Sequence, residues 1–145
     1  MMDALLLLNV ASTLFMVGLI WFVQIVHYPL FDNVAKASFA DYELRHSRLT
    51  SRVVIPPMLI ELGTTIWLVV EAPPAVPAAA AWFGMLLLAI VWTSTFALQV
   101  PQHKALLAGF TRRTHTMLVA TNWIRTIASS LRGIVVMWML NRCLV

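Results

Sequence analysis

Residues 4–26 read ALLLLNVASTLFMVGLIWFVQIV, and this run without a charged side chain decides the fold class. A helix rises about 1.5 Å per residue, so a run of this length spans roughly 30 Å, the thickness of a bilayer's hydrocarbon core. Three further, mainly apolar runs follow at residues 53–71, 79–100 and 117–140. We therefore predict an all-α integral membrane protein, with residues 1–145 forming a single transmembrane domain, an antiparallel four-helix bundle.

The composition supports this class. Of the 145 residues, 61% are hydrophobic and 11% are charged, and the mean hydropathy is +0.85, whereas soluble domains carry about 25% charged residues. A small soluble domain could not cover four helices that are apolar on nearly every side. The acidic start and the long first run predict a retained span rather than a removable signal peptide. The single cysteine, Cys143, excludes an internal disulfide.

The basic residues predict the orientation. The first and third connections together carry seven of them: Lys36, Arg45, Arg48, Arg52, Lys104, Arg112 and Arg113. The other side of the predicted bundle has only Arg142. Because cytoplasmic connections are enriched in lysine and arginine, we expect both termini to lie outside the cytoplasm of a bacterial-type plasma (inner) membrane. Basic and aromatic residues do not interleave as in a nucleic-acid groove, so no nucleic-acid partner is expected.

The segment 31–52 is polar but patterned. Its apolar positions recur at helical spacing, at Phe39, Tyr42, Leu49 and Val53. This pattern predicts an amphipathic helix at the cytoplasmic surface, between the first and second spans. Pro56 and Pro57 are expected to interrupt its continuation into the second span with a kink that faces the bundle. Pro29 and Pro101 are expected to end the first and third spans at the same side.

Polar side chains inside the spans concentrate at one predicted depth, near the cytoplasmic face. They are Gln24, His27, Glu61, Gln99, His103, Asn122 and Arg125. Ionisable groups in hydrocarbon are costly and mark candidate functional sites. We expect all of these residues except Gln24, together with His46, to bound a polar cavity that opens toward the cytoplasm or the inner leaflet.

A structural role for two of these residues is the simplest alternative. Glu61 and Arg125 are expected at similar depth, so the sequence predicts an ion pair between them, direct or through one water. Arg132 lies deeper and is expected to extend outward toward Glu71 or Asp3.

The catalytic hypothesis uses the same cluster. Glu61 or His103 would remove a proton from an acidic C–H or O–H group. Asn122 and Arg125 would stabilise the anion that results.

A metal or haem is a further alternative. His27, His46, Glu61 and His103 carry ligand types that suit iron, copper or zinc. Glu43 and His46 have the Glu-x-x-His spacing of di-iron bundles, which require two copies, and this chain has one. His27 and His103, from different helices, could instead hold a b-type haem. The sequence leaves the choice among iron, copper and haem open.

Three short segments resemble a known family. They are His27-Tyr28-Pro29, Gln99-Val100-Pro101-Gln102-His103 and Asn122-Trp123-Ile124-Arg125-Thr126. They are similar to the helix ends of small four-helix anthrone-oxygenase-like membrane proteins, with Gln99 and His103 in place of the usual asparagines. The resemblance implies O2-dependent oxidation of activated polycyclic phenols.

Three classes of function therefore compete. The first is a membrane oxidoreductase or oxygenase that acts on a lipophilic aromatic or quinone-like substrate at the polar cluster. The second is a non-catalytic accessory subunit of a larger membrane complex. The third is a small dimeric transporter with Glu61 as its coupling carboxylate, which the seven-to-one bias of basic residues disfavours. The expected partners are the lipid bilayer, a lipophilic small molecule, and a second copy of the chain or a membrane-complex subunit.

Overall fold

Helices make up almost all of the computed structural model, which describes residues 2–145, with side chains from residue 4 onward. Within that range the chain contains no strand. The α-helices are α1 (Met2–Phe22), α2 (Phe39–Val70), α3 (Ala78–Ser94), α4 (Val100–Leu107) and α5 (Arg112–Leu144). A π-helical turn, Thr95–Gln99, joins α3 to α4 without a break, so the bundle has four rods.

All four rods are long and apolar enough to cross a membrane. The helical segments that meet this criterion are Ala4–Asn33, Lys36–Val70, Ala78–Leu107 and Arg112–Leu144. Three of them contain the corresponding predicted span, and Lys36–Val70 contains all but the last residue of the span 53–71. The residues described, 2–145, are thus almost entirely helical, with four candidate membrane helices as predicted. Every segment extends beyond its predicted span, because the helices continue through the polar sequence at their ends.

Neighbouring rods run in opposite directions. On α1, Asn9 contacts Thr65 of α2, whereas His27, beyond the end of α1, contacts His46 nearer the start of α2. Helix α5 is likewise antiparallel to α1, since Trp21 donates to the Ser130 hydroxyl. Helices α3 and α5 make the most extensive contact, followed by α1 with α5 and α1 with α2.

The segment 31–52 is partly helical, but it is not a separate surface helix. Two 3-10 turns, Pro29–Asn33 and Lys36–Ser38, lead directly into α2, which then continues without interruption to Val70. The predicted interruption at Pro56 and Pro57 is therefore wrong. Each proline removes one helical hydrogen bond. The carbonyls that lose donors belong to Arg52 and Val53, which are exposed residues. Pro56 is exposed as well and Pro57 is half-buried, so Pro56 does not face the bundle.

Pro29 and Pro101, which were predicted to end the first and third spans, differ in their effect on the helices. The first rod ends as predicted, because its last turn, Val23–His27, is π-helical and Pro29 then begins a 3-10 turn. Pro101 does not end the third rod, which continues to Leu107. It lies directly after the π turn Thr95–Gln99, where the hydrogen-bonding pattern returns to that of an α-helix.

The core is divided between the two ends of the bundle, and lipophilic side chains cover much of the outside. One buried group lies near the chain termini, and it comprises Leu6, Val10, Leu68, Val76, Val136 and Met139. The other lies at the end that carries the histidines, and it comprises Val23, Tyr28, Phe31, Phe39, Leu106 and Leu118. Many large apolar residues face outward, among them Phe96, Ile127 and Ile134. Such a surface suits lipid better than water.

Candidate functional site

Three histidines, a glutamate and a tyrosine meet at one end of the bundle. The histidine cluster consists of His27, Tyr28, Glu43, His46 and His103. Rings of His27 and His46 share a hydrogen bond of 2.8 Å between Nε2 and Nδ1. Nδ1 of His103 lies 2.6 Å from Oε1 of Glu43, and the Tyr28 hydroxyl lies 2.9 Å from Nε2 of His103. A Tyr28–His103–Glu43 chain of hydrogen bonds results.

The hydrogen bonds fix the proton positions in this chain when Glu43 is ionised. A carboxylate only accepts, so Nδ1 of His103 donates to Glu43. Nε2 of a neutral His103 then accepts from the Tyr28 hydroxyl. His103 is thereby poised to take up a proton at Nε2 while Glu43 stabilises the positive charge.

Local helix geometry explains how these residues converge. Glu43 and His46 are three residues apart, so they share one face of α2. His27 and Tyr28 stand at the end of the π turn, where the Tyr28 N–H donates to the Val23 carbonyl. The π turn Thr95–Gln99 similarly lies one turn before His103. Single π turns inside helices are frequent at functional sites, and here both lie next to the cluster.

Phe31 packs against all three histidines of the cluster. Its side chain is fully buried, and its ring contacts those of His27 and His46 at 5.2 Å between centroids and that of His103 at 6.4 Å. On its other side lies His115, whose Nε2 donates to the Tyr28 carbonyl at 2.8 Å. Packing of this kind holds the imidazoles in fixed orientations.

Glu61 is not part of the histidine cluster. It lies fifteen residues beyond His46 on α2, or roughly 22 Å along a helix that rises about 1.5 Å per residue. Its Oε1 accepts from Nε of Arg132 at 2.8 Å and from the Thr13 hydroxyl at 3.0 Å. The predicted ion pair between Glu61 and Arg125 is therefore wrong. The prediction placed the start of the second span at residue 53, whereas α2 begins at Phe39. Glu61 therefore lies deeper in the bundle than predicted.

Arg132 is an internal residue. Its side chain is buried and also donates to the Gly84 carbonyl at 2.7 Å and to the Thr65 hydroxyl. It does not extend toward Glu71, and the alternative partner Asp3 lies outside the described side chains. The mid-bundle cluster, consisting of Asn9, Thr13, Glu61, Thr65 and Arg132, therefore joins the three helices α1, α2 and α5 by buried hydrogen bonds, and the Gly84 carbonyl connects it to α3 as well.

Gln24 and Asn122 form a third contact, between the first rod and α5. The Asn122 amide donates to Oε1 of Gln24 at 2.8 Å, and the Gln24 amide donates to the Val119 carbonyl at 3.2 Å. Both side chains are buried. The structure thus places Asn122 in an interhelical contact.

A cavity of about 560 Å³ lies beside the histidine cluster, between α1, α2, the third rod and α5. Of the residues expected to bound it, it is lined by His46, Gln99, His103 and Arg125, while His27, Glu61 and Asn122 are not among its lining residues. Most of its wall is apolar and includes Met16, Ile20, Met58 and Trp92. The expected polar cavity is thus an apolar one with a polar end.

Three side chains that line the cavity carry polar atoms without a hydrogen-bond partner in the described part of the chain. Nε1 of Trp92, Oε1 of Gln99 and Nε of Arg125 are buried and have no hydrogen-bond partner among the described residues. All three side chains line the cavity. Buried polar atoms are rarely left unpaired in proteins, so these side chains would supply two donors and one acceptor to a ligand on turning toward the cavity.

The space around the histidines does not suit a haem held by His27 and His103. Both rings lie against His46, at 4.6 and 5.4 Å between centroids, and Phe31 contacts all three. These side chains occupy the room that a porphyrin between the two ligands would require. A di-iron centre is not supported either, since the Glu43–His46 pair is joined by His103 and not by a second Glu-x-x-His copy. The space between these side chains suits a single metal ion better than a haem or a di-iron centre.

Several residues of these clusters escaped the sequence analysis. Asn9, Thr13 and Thr65 of the mid-bundle cluster were not predicted as polar contacts. Asn9 and Thr13 are four residues apart and so share a helix face. Glu43 was predicted only as part of a Glu-x-x-His motif, and no role was predicted for Trp92. The spacing of Asn9 and Thr13 was the available signal, whereas nothing in the sequence marks the unpaired atom of Trp92.

The fold and the site define a class: an all-helical four-rod protein with an internal histidine cluster beside an apolar cavity. No known protein family, no curated protein and no solved structure matches this chain. The resemblance to anthrone-oxygenase-like proteins therefore stays a prediction.

Proposed function

We propose that the chain is a multi-pass protein of a bacterial-type plasma membrane, with both termini outside the cytoplasm. Four apolar rods of sufficient length support the crossing. The seven basic residues of the first and third connections support the orientation. In this arrangement the histidine cluster lies near the cytoplasmic face.

We propose further that it is an oxidoreductase that uses O2 to oxidise a lipophilic aromatic or quinone-like compound in the cavity. A volume of about 560 Å³ lies within the usual range of small-molecule sites. Lining residues Ile55, Leu59 and Phe96 are more than 50% exposed. Such an apolar rim suits entry of a substrate sideways from the lipid.

The three unpaired polar atoms of the cavity carry this proposal. A flat apolar molecule with oxygen atoms at its edge would fill the cavity and accept from Trp92 and Arg125. A phenolic hydroxyl would donate to Gln99. Quinones, anthrones and phenols have this combination of an apolar body and oxygen at the edge, whereas a plain hydrocarbon would leave the polar atoms unpaired.

The proposed chemistry assigns roles to four residues, Tyr28, Glu43, His103 and Arg125. The Tyr28 hydroxyl passes its proton to Nε2 of His103 and takes one from an activated ring CH2 group, and Glu43 stabilises the imidazolium that forms. Arg125 stabilises the ring oxyanion of the resulting carbanion. O2 then oxidises this carbon, so that CH2 and O2 become C=O and H2O. Glu61 and Asn122 have no role in this scheme, because neither lines the cavity.

The accessory-subunit hypothesis is the second candidate. The Gln24–Asn122 and Glu61–Arg132 contacts are interhelical hydrogen bonds of the kind that a purely structural role predicts. The transporter hypothesis requires Glu61 to bind and release its ion, which the buried pair with Arg132 opposes.

Quinone binding to the purified protein tests the cavity. We expect menadione to quench the fluorescence of Trp92 with one-to-one stoichiometry. The Trp92→Phe variant should lose this component, and Trp138→Phe, an exposed control outside the cavity lining, should keep it. Arg125→Met should weaken binding by roughly 10- to 100-fold, because a hydrogen bond to a charged group contributes about 1.5–3 kcal/mol.

Oxygen uptake with anthrone as substrate tests the activity. Wild-type protein should consume one O2 per anthrone oxidised, and His103→Ala should abolish the uptake while menadione still binds. Absence of both binding and uptake in the folded protein would reject the enzyme and favour the accessory subunit.

A further inference from the structure

Glu43, His46 and His103 bring three potential metal ligands together at the polar end of the cavity. Their ligand atoms all lie within 4.8 Å of one another. Two residues come from α2 and one from α4, so the set is assembled by the fold. We propose that these three side chains bind one divalent first-row transition-metal ion.

Distances of this size are close to those of a formed site. Nitrogen and oxygen ligands lie about 2.0–2.2 Å from such an ion, so ligands of one tetrahedral ion are roughly 3.4 Å apart. The widest separation therefore has to close by on the order of 1 Å, while Nδ1 of His103 and Oε1 of Glu43, 2.6 Å apart, have to separate by a similar amount. Small rotations of a glutamate and two imidazoles supply both movements.

The state of Glu43 is the second, independent observation. This carboxylate is 0% exposed. Its Oε1 accepts from His103 and from the Ser47 hydroxyl, but its Oε2 has no hydrogen-bond partner within the described part of the chain. An unpaired oxygen on a buried carboxylate is costly. A cation at Oε2 would remove that cost.

The surrounding hydrogen bonds orient the histidines for coordination. Nδ1 of His46 lies 2.8 Å from Nε2 of His27 and 3.1 Å from the Thr50 hydroxyl, which leaves Nε2 of His46 as its ligand atom. At His103, the ion replaces the proton between Nδ1 and Glu43, and Nε2–H then donates to the Tyr28 hydroxyl. Such outer contacts fix the tautomer and the ring orientation of metal-bound histidines.

Two histidines and one carboxylate indicate the kind of ion. This ligand set with open positions is typical of non-haem iron(II) sites, and zinc and manganese can use similar ligands. His46 and His103 line the cavity, so the open positions would face it. Glu61, which the sequence analysis included among the ligands, is replaced by Glu43. The site rests on this geometry alone and goes beyond the proposed oxidation. With an ion at Nδ1, Nε2 of His103 keeps its proton and cannot act as a base, so the proposed oxidation belongs to the metal-free protein.

Cobalt(II) titration of the purified, tag-free, chelator-stripped protein in detergent tests the site. Cobalt(II) is a suitable probe because its visible absorption reports the number of ligands. We expect one equivalent to bind and to give the spectrum of a four- or five-coordinate ion. Glu43→Gln and His46→Ala should each lower the affinity by at least about tenfold, since even outer-contact mutations cost 10- to 100-fold.

Two controls separate ligand loss from unfolding. His115→Gln changes a neighbouring buried histidine outside the ligand set, and Glu71→Gln removes an exposed carboxylate; both should bind cobalt(II) as the wild type does. Circular dichroism checks that each variant is helical. If either ligand variant does not fold, wild-type stoichiometry and spectrum remain decisive. Binding below about 0.2 equivalent, or a cobalt(II) affinity that neither Glu43→Gln nor His46→Ala lowers in the folded protein, overturns the proposal.

Metal and activity are measured separately, so the two proposals can fail separately. Cobalt(II) binding together with no oxygen uptake by the metal-free protein rejects only the proposed oxidation. Oxygen uptake by metal-free protein that binds no cobalt(II) rejects only the metal site.

Discussion

Removing Glu61 or Arg132 tests the contact that joins three helices at the middle of the bundle. Breaking a buried ion pair by removing one partner typically costs about 3–5 kcal/mol. We expect Glu61→Gln near the lower end, because its amide oxygen can still accept from Arg132. Arg132→Met should be near the upper end, because it also removes the hydrogen bonds to the Gly84 carbonyl and to Thr65.

The double variant supplies the decisive comparison. Once both charges are gone, neither is left buried and unpaired, so the combined loss should be smaller than the sum of the single losses by about 0.5–3 kcal/mol. Unfolding by SDS titration in mixed micelles, followed by circular dichroism, measures these free energies. Glu71→Gln is the control and should stay within about 0.5 kcal/mol of wild type. Additive losses, within about 0.5 kcal/mol, would refute a direct Glu61–Arg132 interaction.

Two further predictions concern helix packing and orientation. Gly133→Ala should lower the free energy of unfolding by roughly 1–3 kcal/mol, because its Cβ would lie 3.2 Å from Cγ2 of Val17. The matched change Gly18→Ala meets nothing within 4 Å and should raise that free energy by up to about 1 kcal/mol. In a Cys143→Ser background, Ala75→Cys should react with an impermeant thiol reagent from outside intact cells and Ala37→Cys should not. Labelling of residue 37 from outside would reverse the proposed topology.

Helix number and type were predictable from the sequence, whereas helix ends were not. Apolar runs mark the four rods because hydropathy depends on composition alone. Two features of α2 depend on how the bundle packs: its start at Phe39 and its passage through Pro56 and Pro57. Neither can be derived from hydropathy. The wrong partner for Glu61 followed directly from that misplaced start.

The candidate site was predictable in part for the same reason. His27, His46 and His103 were correctly grouped, since all three lie near helix ends on one side of the bundle. The sequence pairs Glu43 with His46 only by spacing, because its contact with His103 and its unpaired oxygen depend on how α2 packs against α4. The apolar character of the cavity also depends on packing, which turns Met16, Ile20 and Met58 toward one space.

The two π turns have a consequence for the ancestry of the chain. A π turn equals one extra residue in an α-helix, and an α-helix advances about 100° per residue. Deleting one residue from Thr95–Gln99 would therefore restore a regular helix and rotate His103 away from Glu43. An ancestor with uninterrupted helices could have had the same bundle without the histidine cluster. Comparisons with distant relatives should allow a one-residue gap at Val23–His27 and another at Thr95–Gln99, since an ungapped alignment across either turn would shift every residue beyond it.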